Sequence, residues 1–260
     1  MTPDGYDLGR RTAIVTGGGE GIGAATALLL ARYGADVVIA GRTEATLVRT
    51  AKTIEGATGR RCLGVPTDAR DEAQVQRLVA RVIDDFGRID ILINNVGWSI
   101  PGPLSKLDTP AWREDFTLNV DTAYYGTRAV GPHMRAQRSG AIVNTSSVAG
   151  DNGVMGFAGY SAAKAALQMF TRVAAAEWGP HGIRINAVAP GLIATENAVR
   201  DMQAAGVDID GICAAMPIGR AGKPEEVARA IVFLASDAAS YITGVTLPVT
   251  GGPSIGGAGG

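Results

Sequence analysis

Short apolar runs alternate with longer amphipathic stretches along the whole chain. The strand candidates are Thr12–Thr16, Asp36–Ala40, Cys62–Pro66, Ile89–Asn94, Ala141–Thr145, Ile185–Ala189 and Val245–Val249. Several are continuously apolar, the pattern of a strand covered on both faces of a parallel sheet. Between them the apolar spacing predicts helices over Ile22–Tyr33, Glu44–Ala57, Glu72–Phe86, Ala111–Gln137, Ser161–Trp178 and Pro224–Ala235. Such alternation implies right-handed βαβ units and a single α/β domain over residues 1–260, with one doubly wound parallel sheet flanked by helices. Two segments, Val154–Gly159 and Thr195–Pro217, read as surface excursions. Both begin at carboxyl ends of strands, where open α/β sheets bind ligands, so 195–217 is expected to be a substrate lid. Residues 253–260 read as a Gly-rich tail.

Composition narrows the class. Hydrophobic residues make up 46% of the chain and charged ones 19%, the balance of a folded domain with a buried core. A net charge of −1 gives no overall pull toward nucleic acid or an anionic membrane. No run reads as a membrane span, and Met1–Arg11 lacks the apolar core of a signal peptide. Cys62 and Cys213 are far apart and lack metal-ligand spacing, which points to a reduced cytoplasmic protein. Cys62 reads as a packing residue and Cys213 as the more accessible thiol. His133 and His181 are not paired by spacing, so no metal site is expected.

Candidate chemistry begins at Tyr160-Ser161-Ala162-Ala163-Lys164. On a helix the phenol and the ammonium share a face. A nearby cation favours phenolate and lowers a phenol pKa from its reference of ~10, so Tyr160 is expected to exchange a proton with a substrate oxygen. Ser147, thirteen residues upstream, ends an apolar run. Near the N-terminus the strand Ala13-Ile14-Val15 enters Gly17-Gly18-Gly19-Glu20-Gly21-Ile22-Gly23 and then a helix. Glycines admit a pyrophosphate close to the backbone, and the helix N-terminus offers free N–H groups. The second strand ends at Gly41-Arg42, where an acidic residue would hold the ribose of NAD; Arg42 suits a 2′-phosphate instead, favouring NADP(H) over NAD(H). The alternative for Arg42 is a solvated residue leading into the next helix. Asp68 either contacts the adenine amino group or caps the helix near Glu72.

With the Thr16–Gly23 turn, Asp68, Asn94-Asn95-Val96-Gly97, Asn119, Ser147, Tyr160/Lys164 and Pro190-Gly191 in this order, the chain resembles the short-chain dehydrogenase/reductase family over nearly all its length. The resemblance implies a seven-stranded parallel sheet and hydride transfer between a nicotinamide and a carbonyl or alcohol carbon. It implies Tyr160 as general acid or base, Lys164 as the residue that lowers its pKa and holds the nicotinamide ribose, Ser147 on the substrate oxygen, and Asn119 positioning a water behind Lys164. Pro190, Gly191, Ile193 and Thr195 would cradle the nicotinamide side, with Ala69 beside Asp68 and Asn95–Gly97 on the adenosine side. A homotetramer or homodimer is implied, built on the helices around Ala111–Gln137 and Ser161–Trp178. Three residues depart from the usual pattern: Val96 for alanine, Thr250 for an aspartate, and Glu20 where NADP-dependent relatives often carry a base. The substrate is expected to be a 3-oxoacyl thioester, a cyclic or steroid ketone, or a sugar-like polyol. Trp98 and Ile100 line its site or merely pack; Met155 and Phe157 border the pocket or belong to the core.

Overall fold

A computed structural model describes residues 4–99 and 101–252. Ile100 and the expected tail 253–260 lie outside these residues. Seven parallel strands form one sheet: β1 (Thr12–Thr16), β2 (Asp36–Gly41), β3 (Cys62–Pro66), β4 (Ile91–Asn94), β5 (Gly140–Thr145), β6 (Ile183–Pro190) and β7 (Thr246–Val249), in the order β3-β2-β1-β4-β5-β6-β7. The order reverses between β1 and β4, which opens a crevice at their carboxyl ends.

The continuous apolar runs have a simple cause. Successive strand side chains point to opposite faces, and both faces are covered. Val15, Val37, Ile39, Ile91 and Val143 enter a core with α1 (Gly21–Arg32), α2 (Glu44–Thr58) and α10 (Pro224–Ala235). Ile14, Val38, Leu92 and Ile142 enter the opposite core with α3 (Glu72–Phe86), α5 (Thr122–Gln137) and α7 (Ala158–Trp178). Between the strands' polar ends, Asn94 Nδ2 donates to Asn144 Oδ1 at 2.9 Å and Asn144 Nδ2 to Thr171 Oγ1 at 2.9 Å, tying β4, β5 and α7 through buried amides.

Several boundaries differ from the sequence expectation. The fourth strand starts at Ile91 rather than Ile89, although Asp90 still bonds through its backbone to Thr12 and Ala141. Its carboxylate also takes the Thr12 N–H and the Arg88 guanidinium. The last strand starts at Thr246, because Val245 gives its N–H to the Asn186 side chain. The expected helix over Ala111–Gln137 is in fact α4 (Thr109–Phe116), a π-helical turn over Thr117–Asp121, and α5. Asn119 Nδ2 takes the Asp115 carbonyl at 2.8 Å, the acceptor its own backbone N–H would use in an α-helix, and the ladder widens there. The excursion after β5 contains a short helix, α6 (Ala149–Asn152), and α7 begins at Ala158, so Tyr160 lies inside the first turn of α7 rather than before it. The expected lid holds α8 (Glu196–Ala204) and α9 (Ile209–Ala214), neither with a buried residue.

Candidate active site

The first wall of the crevice is the glycine turn after β1. Gly17 and Gly21 have φ of 62° and 54°, a region that favours glycine. A Cβ on Gly23 would stand 2.1 Å from the Gly17 carbonyl oxygen, and one on Gly18 would stand 2.8 Å from both Val15 O and Ile39. Helix α1 then begins at Gly21, with no side-chain hydrogen bond from its N-cap Glu20 and no acid in its first turn, so its free N–H groups remain open to an anion. Ile22 packs on the core behind the turn and Gly19 lies against Thr46. These residues fit the pyrophosphate of a dinucleotide.

The end of the crevice expected to take an adenosine is charged. Arg42, just past β2, is exposed and has no ion-pair partner among the described residues. Glu20 stands 3.7 Å from Arg49 and accepts a hydrogen bond from Asn197 at 3.2 Å. Asp68 follows β3 beside buried Ala69, with its carboxylate held by Arg70 at 2.6 Å; that pairing keeps it below the usual carboxylate range. The capping role considered for Asp68 belongs to Asp71, whose side chain accepts from Ala73 N and Gln74 N at the start of α3.

The second wall follows β4. Asn95 donates its backbone N–H to Thr16 Oγ1 at 3.0 Å and its amide to Gly17 O at 3.3 Å, joining the two walls. Val96 packs on Gly17. On the side expected to take the nicotinamide, Pro190 is buried at the end of β6 and its carbonyl accepts from Val148 N, and Gly191 N–H bonds to Val249 O. Ile193 is buried at the base of the lid, in a bridge with Gly222. Thr195 caps α8 through Ala198 N and packs its methyl near Gly21, so the start of α8 is seated on the glycine turn. Thr250 turns back on its own strand end, its hydroxyl donating to Gly252 O at 2.7 Å.

At the bottom of the crevice four expected residues meet. Ser147 lies two residues past β5, its Oγ accepting from Ala149 N at 3.1 Å. Lys164 is buried, donates from Nζ to Thr145 O at 2.8 Å, and stands 5.5 Å from the centre of the Tyr160 ring. Asn119 is buried and gives its amide to Trp98 O and Asp115 O, leaving Oδ1 without a partner among the described residues. One point, where a Cβ on Gly97 would sit, is 2.8 Å from both Asn119 Oδ1 and Lys164 Nζ. Glycine there leaves open the space that these two polar ends flank.

Electrostatics correct one expectation. Lys164 does not bring the phenol down in this structure. Burial pushes Tyr160 upward, a charge on Asp115 adds to that, and the Ser147 hydroxyl opposes it. Burial drives Lys164 itself down to about 7. The cation stands 5.5 Å from the centre of the ring, makes no hydrogen bond to the phenol and is itself heavily desolvated.

Asp115 was missed in the sequence. It lies one helical turn before Asn119 and is buried, and that spacing was the available signal. The apolar side chains around the mouth include Trp98, 46% exposed, and Met155, 92% exposed. Phe157 lies 6.1 Å from Tyr160, ring to ring, and is partly buried. The segments holding these residues are joined where Gly102 N–H meets Gly156 O at 2.8 Å.

Comparison with known proteins decides the family. The model of the family described as enoyl-(acyl carrier protein) reductase matches residues 17–254. The chain belongs to the short-chain dehydrogenase/reductase family. It is 45% identical to a cis-4-hydroxycyclohexanecarboxylate dehydrogenase of Sinomonas cyclohexanicum, over 95% of this chain and 98% of that one. It is 39% identical to a 3-oxoacyl-[acyl-carrier-protein] reductase of a Synechocystis strain, over 94% and 97%. Among solved structures, a 7α-hydroxysteroid dehydrogenase complexed with NADH and 7-oxo glycochenodeoxycholic acid superposes with a TM-score of 0.91 at 30% identity, covering 97% of each chain. The protein is therefore an oxidoreductase of the CH–OH class, acting on an alcohol or carbonyl substrate. Among the described residues, no helix is long and apolar enough to cross a membrane.

Proposed function

We propose that this short-chain dehydrogenase/reductase interconverts a secondary alcohol and its ketone, with Tyr160 as the proton-transferring residue. The observation that carries the reading is the convergence of Ser147, Tyr160, Lys164 and the open Oδ1 of Asn119 on one end of the crevice. When bound, the nicotinamide supplies or accepts the hydride. In reduction the substrate oxygen gains charge, Ser147 holds it by a hydrogen bond, and Tyr160 gives it a proton. In oxidation the same proton returns to Tyr160. Lys164 holds the nicotinamide ribose, and Asn119 orients a water in the gap beside Gly97. Glycines 17, 19, 21 and 23 with Glu20 and Ile22 take the pyrophosphate side. Asp68, Ala69, Asn95, Val96 and Gly97 take the adenosine side, and Pro190, Gly191, Ile193 and Thr195 the nicotinamide side. Residues 195–217 act as the substrate lid.

NADP(H) is the favoured cofactor. Gly41 leaves room where an acid would hold a ribose, and the Arg42 fork is free for a phosphate. Glu20 favours NAD(H) as the second reading, yet Arg49 beside it offsets part of its charge. Paired titrations with NADPH and NADH decide between them. The apolar mouth suits a ring-bearing alcohol or ketone, the class named for the hydroxycyclohexanecarboxylate relative. Arg128 pairs with Glu72 on the outer face of α5, so it offers the phosphate of a thioester carrier no free charge.

The assembly we propose is a homotetramer or homodimer through the outer faces of α5 and α7. Tyr124, Val173 and Met169 are exposed there, with Phe170 and Trp178 lining a shallow cavity between the two helices. Light scattering at micromolar concentration tests this, and a monomer would refute it. A reduced cytoplasmic setting fits the two unpaired cysteines.

A further inference from the structure

Asp115 is a buried carboxyl that the proposed chemistry does not use. It sits in the last turn of α4 and is 7% exposed. Its Oδ2 is 2.3 Å from the place where a Cβ on Gly159 would stand. Gly159 is helical and is not among the glycines with positive φ, so its lack of a side chain answers a need for space rather than for backbone freedom. The carboxylate fills that space, directly against the residue before Tyr160.

The surroundings leave the charge uncompensated. Among the described residues Asp115 has no ion-pair partner. Its neighbour Glu114 carries a second negative charge, which goes to Arg70 at 3.2 Å. The Ser99 hydroxyl, from the segment after β4, opposes the effect of burial on Asp115, and the charge of Asp115 disfavours phenolate at Tyr160, the residue after Gly159 in α7. Lys164, the other charged group at Tyr160, lies by the ring and donates to Thr145 O. The backbone carbonyl of Asp115 is fixed by Asn119, so the carboxyl is held on the same turn that carries the polar gap of the site.

We propose that Asp115 is a positioning residue that acts through Tyr160, keeping its hydroxyl protonated and setting the pH above which alcohol oxidation begins. A negative charge close to a phenol disfavours phenolate, and a dry setting strengthens the effect. Burial, with Glu114 adding and Ser99 opposing, raises the proton affinity of Asp115 itself, so its influence operates above the pH at which it ionises. The protonated phenol is the competent form for carbonyl reduction. The chain thereby carries a charge that favours the reductive reaction near neutral pH and delays the oxidative one.

This inference rests on Tyr160 being the proton-transferring group, and the test separates the two. Phenolate formation is followed by difference absorbance in cofactor-free protein, with Tyr160→Phe subtracted to isolate Tyr160. In Asp115→Asn the Tyr160 midpoint moves to lower pH, and the rising limb of kcat/KM for alcohol oxidation moves the same way. KM for the cofactor stays close to that of the parent. A lower rate at every pH with both midpoints unmoved would overturn the proposal and leave Asp115 a packing residue. If Asp115→Asn does not fold, Asp115→Ala, which removes the charge and relieves the contact with Gly159, serves the same comparison. Full activity in Tyr160→Phe would sink the functional reading instead, whatever the titration of Asp115→Asn shows.

Discussion

Lys164 Nζ lies 5.5 Å from the centre of the Tyr160 ring while donating its hydrogen bond to the Thr145 carbonyl at 2.8 Å. The pair shares a helix face, yet the ammonium spends its hydrogen bond on the Thr145 carbonyl and makes none to the phenol. Lys164 is a buried cation next to the space beside Gly97, which Asn119 Oδ1 also borders. Its charge is costly there, and that cost is measurable.

Lys164→Met is expected to remove turnover and to stabilise the fold. The lysine falls from 10.5 to about 7 on burial. A lowered folded pKa means that the unfolded chain holds the proton more tightly. The penalty is full below about pH 7 and shrinks as pH rises toward 10.5, where lysine is neutral in both states. A shift of that size corresponds to at most ~5 kcal/mol, reduced by the lost bond to Thr145 O. Denaturant unfolding at several pH values checks this. The variant's advantage should be largest below neutrality and vanish in strong base.

Gly23→Ala should cripple nucleotide binding and cost ~2 kcal/mol or more of stability. The added Cβ meets the Gly17 carbonyl at 2.1 Å, a backbone atom in a turn with no freedom to retreat. Gly56→Ala is the matched control. It lies in the interior of α2 with nothing within 4 Å of the added methyl, so it should stabilise by about 0.5–1 kcal/mol. Thermal unfolding of both variants with and without nucleotide reads the contrast.

Arg42→Ala should weaken NADPH binding on the order of tenfold or more while leaving NADH nearly unchanged, because the lost contact is a charge-assisted bond to a phosphate only one cofactor carries. Titration by nicotinamide fluorescence measures it. Equal losses for both cofactors would assign Arg42 a different role.

The two thiols should separate cleanly under a thiol reagent. Cys62 is buried at the start of β3, and burial beside Glu55 pushes it up to about 12. Cys213 lies in α9 and is partly exposed. One thiol should therefore modify in the native protein, and peptide mapping should find it at 213, with Cys62 following only on unfolding.

The strands were legible in the sequence because both faces of a parallel sheet are apolar, so Ala13 to Val15 and Ile91 to Ile93 read as runs even though alternate residues enter different cores. The glycine turn was legible because its contacts leave no room for side chains. The π-helical turn was hidden, since it arises when the Asn119 amide captures the Asp115 carbonyl, and apolar spacing does not report that competition. The ionisation of Tyr160 was misread for a related reason. Four-residue spacing puts Lys164 on its face, but burial and the Asp115 charge come from other segments. Asp115 itself makes its decisive contact with Gly159, 44 positions away in the chain, so its role emerges only in the fold.

The most direct test of the central claim is turnover and cofactor binding in Tyr160→Phe, measured with a panel of cyclic secondary alcohols and ketones. The account predicts loss of turnover by several orders of magnitude, with the nicotinamide dinucleotide bound about as tightly as in the parent protein. Parent-like turnover in that variant would contradict it.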